Sequence, residues 1–490
     1  MRVFNTYSRK VEEFVPLDQN GKTVSMYTCG PTVYSRAHIG NFRAYVFEDL
    51  LQRHLELRGY NVRRVMNLTD VDDKTIRGAR QSNVPLDEFT APFKQAFFDD
   101  LKTLQIKPAD EFPAATDQKY IERMISMIQT LVQRGLAYQA EDKSVYFRIS
   151  KFPDYGKLAH IDLTQLQSTG RVQHDEYDKE HIGDFALWKA WDDQDGDVGW
   201  ESPWGCGRPG WHIECSAMAT ALLGDQIDIH CGGVDNIFPH HEDEIAQSCA
   251  FTGQVDFARI WMHGEFLNVR GQKMSKRYGN YTTPRDLRED GVDPGALRLL
   301  FFQTHYRQKL DLTDEALAAS REGARRLGGF ARRLQDAAGQ GVESGEFVAL
   351  AEKLDAGFRE ALDDDLNAPR AVAAAFDFVS EGNRLLDQGQ LPGPRAVEAW
   401  RLVDSVLDAS TAVKFTSTGS GVDVNALLVL PETPPAGGDD ALDWARHWAE
   451  ARVIAKAKKD FSEADRIRKL LADHGFEVRD SRNGSEVVRK

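Results

Sequence analysis

Between Val24 and Asn67 the chain reads strand, glycine-proline turn, helix, strand, and this order limits the fold more than any other feature of its 490 residues. Residues 24–28 (Val-Ser-Met-Tyr-Thr) have the composition of a short strand, and Cys29-Gly30-Pro31-Thr32 breaks it. From about Gly40 to Arg58, the residues Ala44, Phe47, Leu50, Leu51 and Leu55 fall on one helical face, and Gly59 is a natural stop. Residues 60–67 return to an extended pattern through Val62, Val65 and Met66. Two strands joined by a crossover helix pair in parallel, so a βαβ unit is expected. Ligands of open parallel sheets bind beyond the carboxyl ends of the strands, where the loop at 29–38 lies.

An α/β pattern returns at 206–262, with an apolar run at 227–229 and a helix expected from His240 to Ala250. Residues 85–140 read as mainly helical, 141–205 as mixed and loop-rich, and the chain from Pro294 to about 413 as strongly helical. The breaker-rich run 431–438 predicts a linker, and a short helical module follows over Trp444–Lys456 and Ser462–His474. A chain this long, 41% hydrophobic and 28% charged, can bury several cores without disulfides. It has no apolar run of about eighteen residues, and Met1–Lys10 has no apolar signal core, so a cytoplasmic protein that spans no membrane is expected. A net charge of −15 argues against a general nucleic-acid coat. Residues 451–490 depart from that balance with 11 Lys and Arg against 7 Asp and Glu, which fits a polyanionic partner or a solvated helix face equally well.

Three constellations carry chemistry. His38-Ile39-Gly40-Asn41 lies between strand and helix, where Gly40 admits a ligand to the backbone and the helix N-terminus favours a phosphate. The second copy, His181-Ile182-Gly183-Asp184, follows no strand and reads as chance. Lys273-Met274-Ser275-Lys276-Arg277 puts three cations on a polar loop able to close over a triphosphate. Cys29, Cys215, His240 and Glu244 form a credible zinc set, His240 and Glu244 being four apart on one helix face. Spacing alone leaves His230, Cys231, Cys206 and His241 as rival ligands. The five cysteines contain no CxxC pair, and their wide spacing argues against a disulfide framework. Position 245 is Ile, which excludes the zinc-protease motif at His241-Glu242, and Pro209 opposes a dinucleotide site at Gly205–Gly210.

These residues resemble the bacterial cysteinyl-tRNA synthetases, class I aminoacyl-tRNA synthetases, over essentially the whole chain. The resemblance runs through Cys29–Tyr34, His38–Asn41, Asn67–Lys74, Gly207–Met218, His230–Glu244 and Lys273–Lys276. It implies a Rossmann-like parallel-sheet catalytic domain (1–120 and 206–262) split by a connecting insertion (121–205). A stem-contact region with the Lys273–Arg277 loop (263–320), a helical bundle (321–428), a linker (429–440) and an anticodon-binding module (441–490) follow. It implies L-cysteine, ATP and tRNA(Cys) as partners, one zinc ion per chain on Cys29, Cys215, His240 and Glu244, Mg2+ with ATP, and a monomer. By the same resemblance His38, Asn41, Lys273 and Lys276 serve catalysis, and with Gly40 and Asp235 they hold ATP. Thr69, Trp211 and His230 line the cysteine pocket. Three positions depart from the family pattern. Asn41 replaces the last His of the first signature, Arg277 replaces the last Ser of the second, and the tail reads Gly484-Ser485-Glu486-Val487 where a Trp is usual.

Choosing cysteine over serine explains the metal. A hydrophobic pocket separates near-isosteres by only about 100-fold, against roughly 10⁴ needed. Thiophilic zinc prefers a thiolate to a hydroxyl, so direct coordination removes the need for editing. Two thiolates and a carboxylate leave the ion a weak Lewis acid toward water, which argues against a hydrolase. A cysteine ligase with an amino-sugar acceptor shares this plan but lacks the tail module. A non-catalytic zinc-containing tRNA-binding protein would not need both phosphate-facing loops.

Overall fold

A computed structural model describes residues 1–161, 183–274, 280–410, 445, 448, 452, 461–481 and 484–489. The chain divides into two compact units, Met1–Lys414 and Phe415–Lys490.

The centre of the first unit is the expected parallel sheet, with strands in the spatial order Ala258–Gly264, Ile227–Gly233, Thr23–Thr28, Asn61–Met66. Crossover helix Ile39–Leu57 joins Thr23–Thr28 to Asn61–Met66, within a residue or two of the expected bounds. The strand order reverses between Thr23–Thr28 and Ile227–Gly233, paired as Met26↔Ile229 and Thr28↔Cys231. That reversal opens the crevice in which such sheets bind ligands. The faces are covered by helices Gln118–Gln133, Trp211–Leu222 and Glu242–Thr252, and the core between them includes Tyr27, Val65, Met124, Ile213, Ile245 and Trp261.

The insertion is more regular than its loop-rich sequence predicts. Ala137–Gln139, Val145–Phe147, Phe185–Ala190 and Gly207–Pro209 form one antiparallel sheet. Three of its four strands are only three residues long, too short for readable alternation, and Val145–Phe147 finds its second partner, Phe185–Ala190, far along the chain. Gly207–Pro209 is therefore itself a strand, and Gly210 leads into the next helix.

The stretch from Pro294 is mostly helical, as expected, but strand Leu310–Leu312 interrupts it and pairs with Leu267–Val269. Helices Asp314–Ala337, Gly345–Asp363, Ala368–Asp387 and Pro394–Leu407 then pack on an apolar core. Phe330, Phe378 and Trp400 meet at its middle with ring centroids 5.4–6.1 Å apart.

In the second unit, helix Phe461–Asp473 ends at Gly475, whose φ of +82° suits a residue without a side chain. An antiparallel hairpin of Phe476–Ser481 and Gly484–Arg489, not anticipated from the sequence, follows it. The expected linker at 429–440 lies outside the described residues. Among the described residues no helix is long and apolar enough to cross a membrane.

Candidate active site

An open cleft of about 1390 Å³ lies over the carboxyl ends of the two central strands. Its walls include Cys29, His38, Gly40, Asn41, Lys74, Trp211, Asp235 and Met274. Cys29 follows strand Thr23–Thr28, and the turn behind it needs glycine, because a Cβ on Gly30 would sit 1.7 Å from the Asn67 carbonyl oxygen.

His38 caps the signature helix. The Asn41 backbone N–H donates to His38 Nδ1 (3.2 Å), and the His38 N–H donates to Asn41 Oδ1 (3.1 Å). A ring nitrogen that accepts carries no proton, so the neutral imidazole holds its proton on Nε2 and presents a donor. A Cβ on Gly40 would lie 3.0 Å from that ring, so glycine keeps the cap intact. Asp235 enters through the short turn after strand Ile227–Gly233. Lys273 ends the short strand Gln272–Lys273, and Lys276 lies outside the described residues.

Below the cleft Cys29, from the loop after the first central strand, meets His240 and Glu244, which come from one continuous turn-and-helix stretch. The rival His241 joins this group, and Cys215, expected as a ligand, is not part of it. Glu244 Oε1 lies 3.0 Å from His240 Nε2 and 3.8 Å from Cys29 Sγ. The Cys215 thiol, on helix Trp211–Leu222, is buried and electrostatically linked to Cys29, His240 and Glu244. Donors bound to one tetrahedral zinc at 2.0–2.3 Å are separated by roughly 3.3–3.8 Å. A soft sulfur, imidazoles and a carboxylate gathered this closely are donors that zinc takes. His241, one of the rivals, also reaches the centre, with Nε2 3.3 Å from Cys29 Sγ and 3.9 Å from Glu244 Oε1. Cys29, His240, His241 and Glu244 keep all their donor atoms within 4.8 Å of one another. Cys206 is exposed, and Cys231 is buried within the central strand.

The cluster is electrostatically self-consistent. Burial raises the Glu244 carboxyl, but His230 and His240 overcome it and hold the group down at about 2. Burial lowers His240, yet Glu244 and Cys215 push it up to about 10. Burial raises Cys215, and its hydrogen bond from Cys29 together with His240 brings it down to about 6. Cys29 is driven well up by burial and by Cys215.

Of the three residues expected around the substrate side chain, Trp211 lines the cleft, 41% exposed and stacked on His240 at 4.3 Å. Thr69 and His230 stand a layer behind. Thr69 Oγ1 donates to Glu214 (2.8 Å), and His230 Nε2 lies 2.9 Å from Glu244 Oε2 with its ring stacked on Trp261. Sequence reasoning missed Arg43 and the buried Glu48–Arg64 pair, 3.0 Å apart beside the cleft. Their signal is present in retrospect, since Arg43 precedes Phe47 and Glu48 follows Ala44 by one helical turn on the core-facing side.

The parallel sheet, the capped helix at its switch point and the flanking bundle define a class I tRNA synthetase. Residues 14–322 match the family described as "tRNA synthetases class I (C) catalytic domain", and residues 357–409 match the DALR domain. The Mycobacterium tuberculosis methionyl-tRNA synthetase bound to methionyl-adenylate shares the fold (TM-score 0.61, 17% identity, 79% of this chain and 92% of that one). So does an Agrobacterium radiobacter LeuRS in a tRNA complex (TM-score 0.57, 12% identity, 81% and 85%). Similarity in sequence is much higher to the "Cysteine--tRNA ligase" of Chlamydia pneumoniae, at 46% identity over 99% of this chain and 97% of the relative. The protein of that name from Chlamydia caviae is 45% identical over the same shares. The chain belongs to the cysteine--tRNA ligase family.

Proposed function

We propose that the protein joins L-cysteine to tRNA(Cys) in two steps, through a cysteinyl-adenylate made from ATP. The observation that carries this reading is the meeting of a soft, buried donor set with a phosphate-facing helix N-terminus in one cleft. Cys29, Cys215, His240 and Glu244 would hold one zinc ion, with His241 the rival for a place. When bound, that ion supplies a thiophilic centre for the substrate sulfur, which a serine hydroxyl cannot match.

The remaining work belongs to the chain's own groups. Trp211 closes over the amino-acid side, while Thr69 and His230 hold Glu214 and Glu244 from behind. The His38 Nε2–H, the Asn41 amide and the helix N-terminus meet the phosphates, Gly40 lets them approach, and Asp235 lies across the cleft for the nucleotide. The cysteine carboxylate attacks the α-phosphorus and pyrophosphate leaves. Lys273 and Lys276 neutralise the charge that develops, and Mg2+ travels with ATP. The 3′-terminal ribose hydroxyl of tRNA then takes the aminoacyl group and AMP departs. No protein nucleophile is involved, and positioning supplies the rate.

The domain bounds given from the sequence follow the same reading. The bundle and basic tail serve tRNA, with residues 441–490 reading the anticodon, and the enzyme acts as a cytoplasmic monomer. Amino-acid-dependent ATP–pyrophosphate exchange tests the core of it. Cysteine should support exchange at least about 10⁴-fold better than serine. Equal support by serine, or charging of an amino-sugar in place of tRNA, contradicts the assignment.

A further inference from the structure

Arg43 sits on the signature helix two residues past Asn41 and is 4% exposed. Its guanidinium is spent on main-chain carbonyls. Nη1 donates to Glu265 (2.8 Å) and Phe266, and Nη2 donates to His305 (3.3 Å) and Gln308. A planar fork of five N–H groups is the one side chain that can serve four carbonyls at once.

The location of those carbonyls gives the contact its meaning. Glu265 and Phe266 immediately precede strand Leu267–Val269, and His305 and Gln308 lie in the turn leading to Leu310–Leu312, its parallel partner. Leu267–Val269 turns through Arg270 and Gly271 into Gln272–Lys273, which runs straight into the second signature. Backbone bonds tie the two strand roots to each other, with Glu265 N–H donating to Tyr306 O (2.8 Å) and Leu310 N–H to Phe266 O (3.1 Å). Arg43 ties both roots to the helix. On the far side of the second signature, the Ile39 N–H donates to Thr282 O (2.8 Å). Phe266 and Thr282, which flank the second signature in sequence, are thus both held by the first two turns of one helix.

We propose that Arg43 is a positioning residue for adenylate formation, fixing the Leu267–Lys273 hairpin, which leads in sequence into the second signature, relative to the His38–Asn41 phosphate site. A merely structural arginine would satisfy the same carbonyls without this consequence, and the two roles separate in kinetics. Rate in such a reaction depends on phosphate-facing groups held to a fraction of an ångström, whereas capture of cysteine is assigned to the buried donor cluster, which Arg43 does not touch.

The inference rests on the proposed ATP roles of the two loops, so Lys276→Ala is measured in parallel. Cysteine-dependent pyrophosphate exchange is followed in Arg43→Lys and Arg43→Met, with KM for each substrate, metal content, and amide hydrogen exchange of residues 265–273 and 305–312. Arg43→Lys should lower kcat about 10-fold and Arg43→Met about 100-fold, with KM for cysteine within about twofold and metal content unchanged. Amide exchange should speed at 265–273 in both variants. A wild-type kcat in Arg43→Lys, while Lys276→Ala is slow, overturns the positioning role alone. A wild-type rate in Lys276→Ala overturns the loop assignment beneath it. Equal losses in cysteine affinity and kcat, or failure of both Arg43 variants to fold, would make Arg43 a purely structural residue and sink the proposal.

Discussion

The floor of the cleft and the heart of the helical bundle are both closed to water, yet they are built from opposite materials. Around Glu244, which is 0% exposed, lie Cys29, His230, His240 and His241. Around Phe378, 1% exposed, lie Phe330 and Trp400. Apolar rings need only each other, at roughly 25 cal/mol per Å² of area removed from water. Buried ionisable groups cost free energy unless each finds a partner, and a chain that gathers a carboxylate, a thiol and three imidazoles at one point is equipped for a ligand. The two regions should therefore fail in different ways.

The largest separation is expected from Cys215→Ser. It keeps the volume and removes one soft donor, so cysteine-dependent exchange should fall by about 10³-fold while thermal unfolding shifts little. A comparable loss of folded protein would make the floor a structural core like the bundle. Phe378→Ala should do the reverse, costing about 3–5 kcal/mol in denaturant unfolding, with exchange per folded molecule retained. Loss of exchange in protein that is still folded would show the bundle to be coupled to the chemistry.

A smaller effect sharpens the boundary between the regions. His54, on the last turn of the signature helix, lies 2.8 Å from Asp363 of the bundle. Burial depresses it to about 4, despite its hydrogen bond to Asp363. Its folded value lies below the unfolded value near 6.5, so the unfolded chain takes up the proton first. Stability tied to His54 is full above about pH 6.5 and is lost as pH falls toward 4, by up to about 3 kcal/mol. His54→Gln should flatten that part of the stability profile in urea titrations between pH 4 and 7. An unchanged slope would assign the acid sensitivity to other groups.

The same contrast explains what the sequence made legible. The βαβ frame was readable because its signals are local: apolar spacing along Ile39–Leu57, the stop at Gly59 and the turn at Gly30-Pro31. Cys29, Cys215, His240 and Glu244 were nameable through resemblance, but the meeting of Cys29 with His240 and Glu244 depends on strand order, which spacing does not encode. His240 proved to lie in the tight turn Ile237–His241 ahead of its helix, so the expected shared helix face was only partly realised. Arg43 escaped because its partners lie 222 to 265 residues away. Strand Leu310–Leu312 escaped because three residues between helices carry no alternation, and its only signal is the distant Leu267–Val269.

The central claim is that the buried donor set below Trp211 selects cysteine through one bound metal ion. Its most direct test is zinc content and cysteine-dependent pyrophosphate exchange, measured on the same protein before chelation, after it, and after zinc is restored. The account predicts one zinc per chain, exchange reduced by orders of magnitude in the metal-free protein, and recovery in step with zinc. Full cysteine-dependent exchange in a completely metal-free enzyme would contradict it.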